Sequence, residues 1–266
     1  IKLRKCSKIH LFFMFFIISC NETASKTSVA SSEYIAESVL SGDSSTKSFP
    51  YLLQRMESIK QTLRQKIPVM LLANADSLQH AAQQTAINNQ SFTANLFDAK
   101  TNQPFLNEIF NVYAARPQEI PKGYINKNVY RVEMYNYPLN LTTVALVDIS
   151  TRKIISVNNY PQTQPDLNAD LTSLATQIAV NSPDVIKALG FKPGEKDALM
   201  AATKTSLNRT KCERSMHLCV APTFIKDDKA LWVIVDLTDL KVVGIRWTKV
   251  GSPETAERIS ERKLIF

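Results

Sequence analysis

The sequence has few of the residues on which common catalytic and nucleotide-binding motifs depend. Only 6 glycines occur in 266 residues, and none of them forms a Gly-rich phosphate loop. A G-x-S-x-G nucleophile elbow is also absent. The sequence therefore predicts no catalytic residues within this chain, and it leaves open whether the whole protein is an enzyme.

Positive charge is not concentrated in blocks. The formal net charge is +8, but 4 of the 32 basic residues lie among the first 19 positions, which leaves 28 basic against 24 acidic residues, a balance of +4. Nucleic-acid binding needs clustered Lys and Arg that displace counterions, often with interleaved aromatic residues. The charge distribution therefore does not favour a nucleic-acid partner.

The N-terminal residues have the features of an export signal. A basic start is followed by the apolar stretch LFFMFFII (11–18), which is too short to span a bilayer as a helix. The segment IISC, which ends at Cys20, is similar to the lipobox of bacterial lipoproteins. We therefore expect a signal peptide over residues 1–19 and lipid attachment at Cys20, which would place the protein in the bacterial cell envelope, facing the periplasm or the surface. The alternative is an ordinary secretory signal that contains a cysteine.

Cysteine is scarce, and its positions limit the possible pairings. The 4 cysteines are Cys6 in the leader, Cys20, and the pair Cys212 and Cys219. In an oxidising envelope the last two have only each other, which predicts a disulfide bond. Such a bond would stabilise the fold by roughly 2–3 kcal/mol in a chain-entropy model. The alternative is a metal site made by Cys212, His217 and Cys219, which lacks the usual fourth zinc ligand.

Composition divides the rest of the chain into a tether and a folded body. Residues 20–48 are rich in Ser, Thr and Ala, with few large apolar groups, so they cannot offset the entropy of ordering. We expect a first helix-plus-sheet unit over 49–162 and a second over 163–251. Residues 252–266 would be a tail or the start of a further domain.

Hydrophobic periodicity predicts the elements of both units. In the first, two helices (51–67, ended by Pro68, and 69–87) precede four strands (106–117, 129–137, 142–150, 153–160). In the second, a helix over 171–190, capped by Asn168 or Asp170 and ended by Gly190, precedes a helix over 195–208 and two strands (229–237, 241–250). Long helices followed by antiparallel strands indicate an α+β fold.

One hairpin sequence occurs twice. TTVALVDISTRKIISV (142–157) and LWVIVDLTDLKVVGI (231–245) match when Asp148 is aligned with Asp236. An aspartate at a hairpin corner can accept hydrogen bonds from the N–H groups of its own turn, so we expect these two aspartates to shape turns and not to form a catalytic pair. The adjacent Asp227 and Asp228 would point to opposite faces of a strand or lie in a turn, so we expect them to mark a hairpin tip and not to form an acid–base pair.

The segments 130–190 and 212–251, which contain the two hairpins, resemble the N-terminal region of copper amine oxidase-like proteins, over roughly residues 105–250. In that family two cystatin-like domains, each a helix over an antiparallel sheet, precede a large catalytic domain. The resemblance implies two such units in tandem here.

The resemblance carries no cofactor to this chain. The family binds copper through three histidines, whereas only His80 and His217 follow the leader. Its quinone forms from a tyrosine in a Thr-x-x-Asn-Tyr-Asp/Glu setting. Tyr160 follows Asn159, but Pro161 stands where the acidic residue belongs. Copper and quinone are therefore expected only if a catalytic domain lies beyond residue 266, and the lone His80 is expected at the surface or in packing.

Three hypotheses for function follow. The first is a non-catalytic, envelope-anchored binding or scaffold protein, for which Trp232, Trp247 and Tyr137 are candidate contact residues, with core packing as the alternative for each. The second is the front part of a quinone-copper amine oxidase. The third is a sheet-edge inhibitor or peptide binder, in which an edge strand receives a protein or peptide partner.

Overall fold

The computed structural model describes residues 50–200, 212 and 216–250. This part of the chain is a mixed α+β fold with four helices and two five-stranded sheets. The helices are α1 (Pro50–Leu63), α2 (Ser77–Ile87), α3 (Ala169–Val180) and α4 (Pro183–Leu189). The predicted signal peptide, Cys20, the tether and residues 252–266 lie outside the described residues.

The first sheet contains the four strands that alternation predicts. Its order is β1–β2–β3–β4–β5, and β2 to β5 are antiparallel neighbours that follow one another along the chain. Helix α2 packs Ala82 and Ala86 against one face of this sheet. The strand bounds are β1 (Val69–Met70), β2 (Asn107–Ala114), β3 (Val129–Asn136), β4 (Leu141–Asp148) and β5 (Lys153–Pro161).

The prediction of one helix over 69–87 is wrong at its start. Residues Val69–Met70 form β1, which pairs in parallel with β2, and the helix begins only at Ser77. Asp76 fixes this start because its side chain accepts hydrogen bonds from Leu78 N and Gln79 N, both at 2.8 Å. The Gln79 side chain accepts from Asp76 N at 2.9 Å, which completes a capping box.

The second sheet has the order β10–β9–β8–β6, with the short β7 also paired to β9. Helix α3 packs Leu174 and Ile178 into the core that this sheet lines. Like β2 to β5, the strands β6, β8, β9 and β10 are antiparallel neighbours in chain order. The bounds are β6 (Ala198–Met200), β7 (Cys219–Val220), β8 (Pro222–Lys226), β9 (Lys229–Asp236) and β10 (Lys241–Lys249).

Two helix predictions in this half need correction. The helix predicted over 171–190 is two helices, because Pro183 has no N–H to continue the ladder of α3 and instead begins α4. Asn168 is the N-cap of α3 and accepts from Leu171 N at 2.8 Å, while Gly190 ends α4 with φ +78°. The helix predicted over 195–208 is wrong over Ala198–Met200, which form β6, and residues 201–208 lie outside the described residues.

A single core joins the two sheets. Phe110 and Tyr135 on the first sheet lie in one buried cluster with Leu231 and Val233 on the second. The rings of Phe110 and Tyr135 lie 5.4 Å apart. Helix α1 contributes Leu52 and Ile59 to the same cluster and so packs at the junction of the sheets.

The two hairpins of repeated sequence share their register. In each, an aspartate that ends one strand lies opposite a lysine that begins the next, and one extra residue then bulges from the second strand. The pairs are Asp148↔Lys153 and Val147↔Ile154 before a bulge at Ile155, and Asp236↔Lys241 and Val235↔Val242 before a bulge at Val243. Both turns also place one residue in the left-handed region, Arg152 at φ 50° and Leu240 at φ 55°.

Candidate functional site

The three aromatic contact candidates have different environments. Tyr137 and Trp232 are buried, with 2% and 5% exposure, and therefore pack in the core. Trp247 on β10 is 39% exposed. Of the three, only Trp247 offers an aromatic face to a partner.

Cys212 and Cys219 form the predicted disulfide bond. The bond lies on the face of the second sheet opposite α3, where it packs with Ala221, Ala230 and Trp232. The alternative metal site is wrong for this structure, since both sulfur atoms are bonded to each other and are no longer thiolate ligands.

His217 pairs with Asp236 at the corner of the second hairpin. The His217 Nδ1 and Asp236 Oδ2 atoms lie 2.7 Å apart, and the carboxylate is buried. The other oxygen of Asp236 accepts from Thr238 N at 2.9 Å and Asp239 N at 3.1 Å, which is the predicted turn role. In the first hairpin, Asp148 likewise accepts from Ser150 N at 2.9 Å.

The His217 corner also has the donor types of a metal site. His217, Asp236 and Asp239 each offer one ligand atom, and these atoms lie within 4.8 Å of one another. Each group is already engaged, however, because Asp239 pairs with Lys241 at 2.9 Å and the other two pair with each other. The arrangement is therefore best described as an ion-pair network that closes the hairpin.

We expect the stability of the protein to fall as pH rises through the titration of His217. The hydrogen bond to Asp236 raises the pKa of His217 above 6.5, with burial opposing the shift and the charges of Asp239 and Lys241 acting in opposite directions. Between 6.5 and the raised pKa, the folded state keeps a proton that the unfolded state loses. The stabilisation is thus complete below 6.5 and is lost above the folded pKa.

The measurement is the thermal midpoint between about pH 5 and pH 8, the range in which histidine titrates. His217→Asn should flatten the dependence, while His80→Asn, which changes an exposed histidine on α2, should not. An unchanged slope in His217→Asn would show that another group titrates.

A second polar cluster lies under α1. The Arg55 guanidinium donates to both oxygens of Glu108, at 2.8 Å and 2.6 Å, and the Tyr137 hydroxyl donates to Glu108 Oε2 at 2.6 Å. The side chains of Arg55 and Glu108 are only 12% and 7% exposed. Although burial lowers the pKa of Arg55, Glu108 and Tyr137 raise it overall, which keeps the guanidinium charged.

A cavity of about 280 Å³ adjoins this cluster, between α1, the residues after β1 and the start of α3. Tyr51 and Asp170 lie at the same cavity as Arg55 and Glu108. The Arg55 Nε atom is buried and has no hydrogen-bond partner among the described residues. Since the two terminal nitrogens of the guanidinium pair with both carboxylate oxygens of Glu108, we describe the cluster as a structural ion pair in which Nε alone is left without a partner among the described residues. The Arg55–Glu108 ion pair was not predicted from the sequence. The helical spacing of Leu52, Arg55 and Ile59 nevertheless places Arg55 on the buried face of α1.

The third feature is the outer edge of β10. Val243, Ile245 and Trp247 are 42%, 39% and 39% exposed, an unusual density of apolar surface on one strand. Strand β10 also carries Lys241, Arg246 and Lys249 and has no acidic residue. It ends the second sheet, with β9 as its sole strand neighbour among the described residues.

Other predicted positions are at the surface. Asp227 and Asp228 form the exposed tip between β8 and β9, as expected, and His80 is exposed on α2. Tyr160 is a half-exposed residue near the end of β5.

No protein-family model matches this chain, and no curated protein matches it either. The resemblance to copper amine oxidase-like proteins therefore stays a prediction. None of the helices in the described part of the chain has the length and apolar content that a membrane span requires.

Proposed function

We propose that the chain is a lipid-anchored protein of the bacterial envelope with a non-catalytic binding and scaffold role. Its body consists of two cystatin-like units in tandem, similar to the N-terminal domains of copper amine oxidase-like proteins. The observation that carries this proposal is the equivalence of the two hairpins. They share register, bulge position and aspartate turn, and each belongs to a sheet with a helix on one face.

The hydrogen bonds that buried carboxylates make within the protein support a binding role over a catalytic one. Asp148 and Asp236 hydrogen-bond the N–H groups of their own turns, and Glu108 is held by Arg55 and Tyr137. A general acid or base must reach a substrate proton, whereas these carboxylates are buried among protein partners. The half-exposed apolar residues of β10 instead provide surface for a partner.

Two features support export and anchoring. The basic and apolar leader precedes Cys20 in a lipobox-like segment, and the Cys212–Cys219 disulfide fits an oxidising compartment. A single lipid chain gives only weak membrane binding, so stable anchoring needs a second chain or another membrane signal.

Metabolic labelling with an alkyne fatty acid tests the anchor. We expect label on the wild-type protein and on the Cys6→Ser control, and none on Cys20→Ser, because Cys20 is the acceptor. The wild-type protein should also sediment with membranes. Equal labelling of Cys20→Ser would contradict the anchor, and peroxide release from amines by the purified protein would contradict the non-catalytic role.

A further inference from the structure

The two hairpins differ most at the outer edges of their sheets. Where β5 has Asn159, the equivalent position of β10 has Trp247, and where β5 has Asn158, β10 has Arg246. Asn159 accepts a hydrogen bond from Thr143 on its own sheet at 2.8 Å. At these two positions the edge of the first sheet is polar and neutral, whereas that of the second is aromatic and basic.

The apolar residues of β10 lie on the helix side of the sheet. Ile245 and Trp247 are opposite Val233 and Leu231, which belong to the core under α3. Val242 also packs against that core, but Ile245 and Trp247 keep 39% of their surface exposed. The apolar core under α3 therefore continues to Ile245 and Trp247 on the edge strand β10, where these side chains are only partly buried.

Lysines surround the end of this apolar strip. Lys229 lies opposite Lys249 on one side and opposite Lys226 on the other. An open groove of about 550 Å³ is lined by these lysines and Trp247, and also by Asp227 and Asp228. Lys226 Nζ donates to Leu189 O at 2.6 Å. Like charges directly opposite one another in a sheet are destabilising, so a carboxylate bound beside Lys229 and Lys249 would relieve the repulsion between these two.

We propose that β10 binds an extended, acidic segment of another protein as an additional strand. This partner assignment rests on the non-catalytic binding role proposed above. An edge strand offers backbone hydrogen bonds to any extended chain. The side chains of the edge strand then determine which partner sequences bind. Apolar residues of the partner would pack on Ile245 and Trp247, and acidic residues, which alternate with them, would meet Arg246 on the opposite face. The basic charge of β10 disfavours pairing with β10 of a second copy, because such pairing would bring cations together without anions.

The test is fluorescence anisotropy with the full-length protein and a labelled peptide of about nine residues in which valine and glutamate alternate, a length that matches one strand. We expect binding that weakens with added salt. Trp247→Asn, which installs the residue of the first hairpin, and Arg246→Glu, which reverses the charge on the face of the glutamates, should each weaken it about tenfold or more, as for an interface anchor. Tyr160→Asn, which removes a 42% exposed aromatic from β5, should leave binding unchanged.

Two control peptides make the test specific. The same peptide with a central proline should bind poorly, because proline removes a strand hydrogen bond, and a valine–lysine peptide should not bind. Circular dichroism confirms that each variant is folded. Equal binding of the proline peptide, or an equal loss in Tyr160→Asn, would overturn the proposal.

Two other occupants of the edge would overturn it as well. Dimerisation abolished by Trp247→Asn would show that a second copy is the partner. Binding seen only after removal of residues 251–266 would show that the chain covers its own edge. If peptide binding fails while labelling at Cys20 and the lack of amine turnover hold, only the partner assignment fails, and the scaffold role stands.

Discussion

Replacing Glu108 by alanine is expected to lower the free energy of unfolding by about 3–5 kcal/mol, because it leaves the Arg55 cation buried without its partner. Arg55 and Glu108 are only 12% and 7% exposed, and their two hydrogen bonds are 2.8 and 2.6 Å long. A loss of this size is a large fraction of the stability of a typical domain. Urea unfolding followed by circular dichroism measures it.

Two variants separate the buried charge from the loss of packing. The double variant Arg55→Met with Glu108→Leu removes both charges and should recover most of the stability, since apolar replacement of a whole buried pair is often neutral. Glu57→Ala breaks the exposed pair with Lys60 on the same helix and should change stability by less than about 0.5 kcal/mol. If the double variant is as unstable as Glu108→Ala, the ion pair is not the source of the effect.

Replacing Phe110 by alanine is expected to cost about 3–5 kcal/mol and to destabilise both sheets together. Phe110 is fully buried in the core that the two sheets and α1 share. Hydrogen exchange measures the effect, and amides of β3 and β9 should lose protection to the same extent, because Tyr135 on β3 and Leu231 on β9 share the buried cluster that contains Phe110.

Phe191→Ala is the matched control, since Phe191 is 49% exposed and its truncation should cost less than about 0.5 kcal/mol. Faster exchange in β3 with unchanged exchange in β9 would show that the sheets unfold independently. The common core would then be a contact between separate cooperative units.

The sequence predicts the strands of this protein better than its helices. The strand patterns place β2 to β5 within a few residues of their observed bounds, because side chains alternate between the two faces of a strand; β4 is buried on both faces. The helix over 69–87 is wrong at its start because the apolar residues Val69 and Met70 fit a strand as well as a helix. Their pairing with β2 is a long-range contact that local periodicity does not contain.

Parts of the candidate site are also visible in the sequence. Spacing and compartment predict the Cys212–Cys219 bond, and turn chemistry predicts the role of Asp236. The pairing of His217 with Asp236 and of Arg55 with Glu108 joins residues 19 and 53 positions apart. Such pairs depend on the tertiary packing of strands and helices, for which a single sequence gives no direct signal.

The aromatic residues are divided between the sheets in a way that has a spectroscopic consequence. All 8 tyrosines precede residue 161, and both tryptophans, Trp232 and Trp247, lie in the second sheet. Tryptophan emission therefore reports only on the second sheet, and tyrosine absorbance only on the residues before 161. Tyr135 shares a core with Leu231, the chain neighbour of Trp232. Energy transfer from tyrosine to tryptophan therefore reports on the contact between the two sheets.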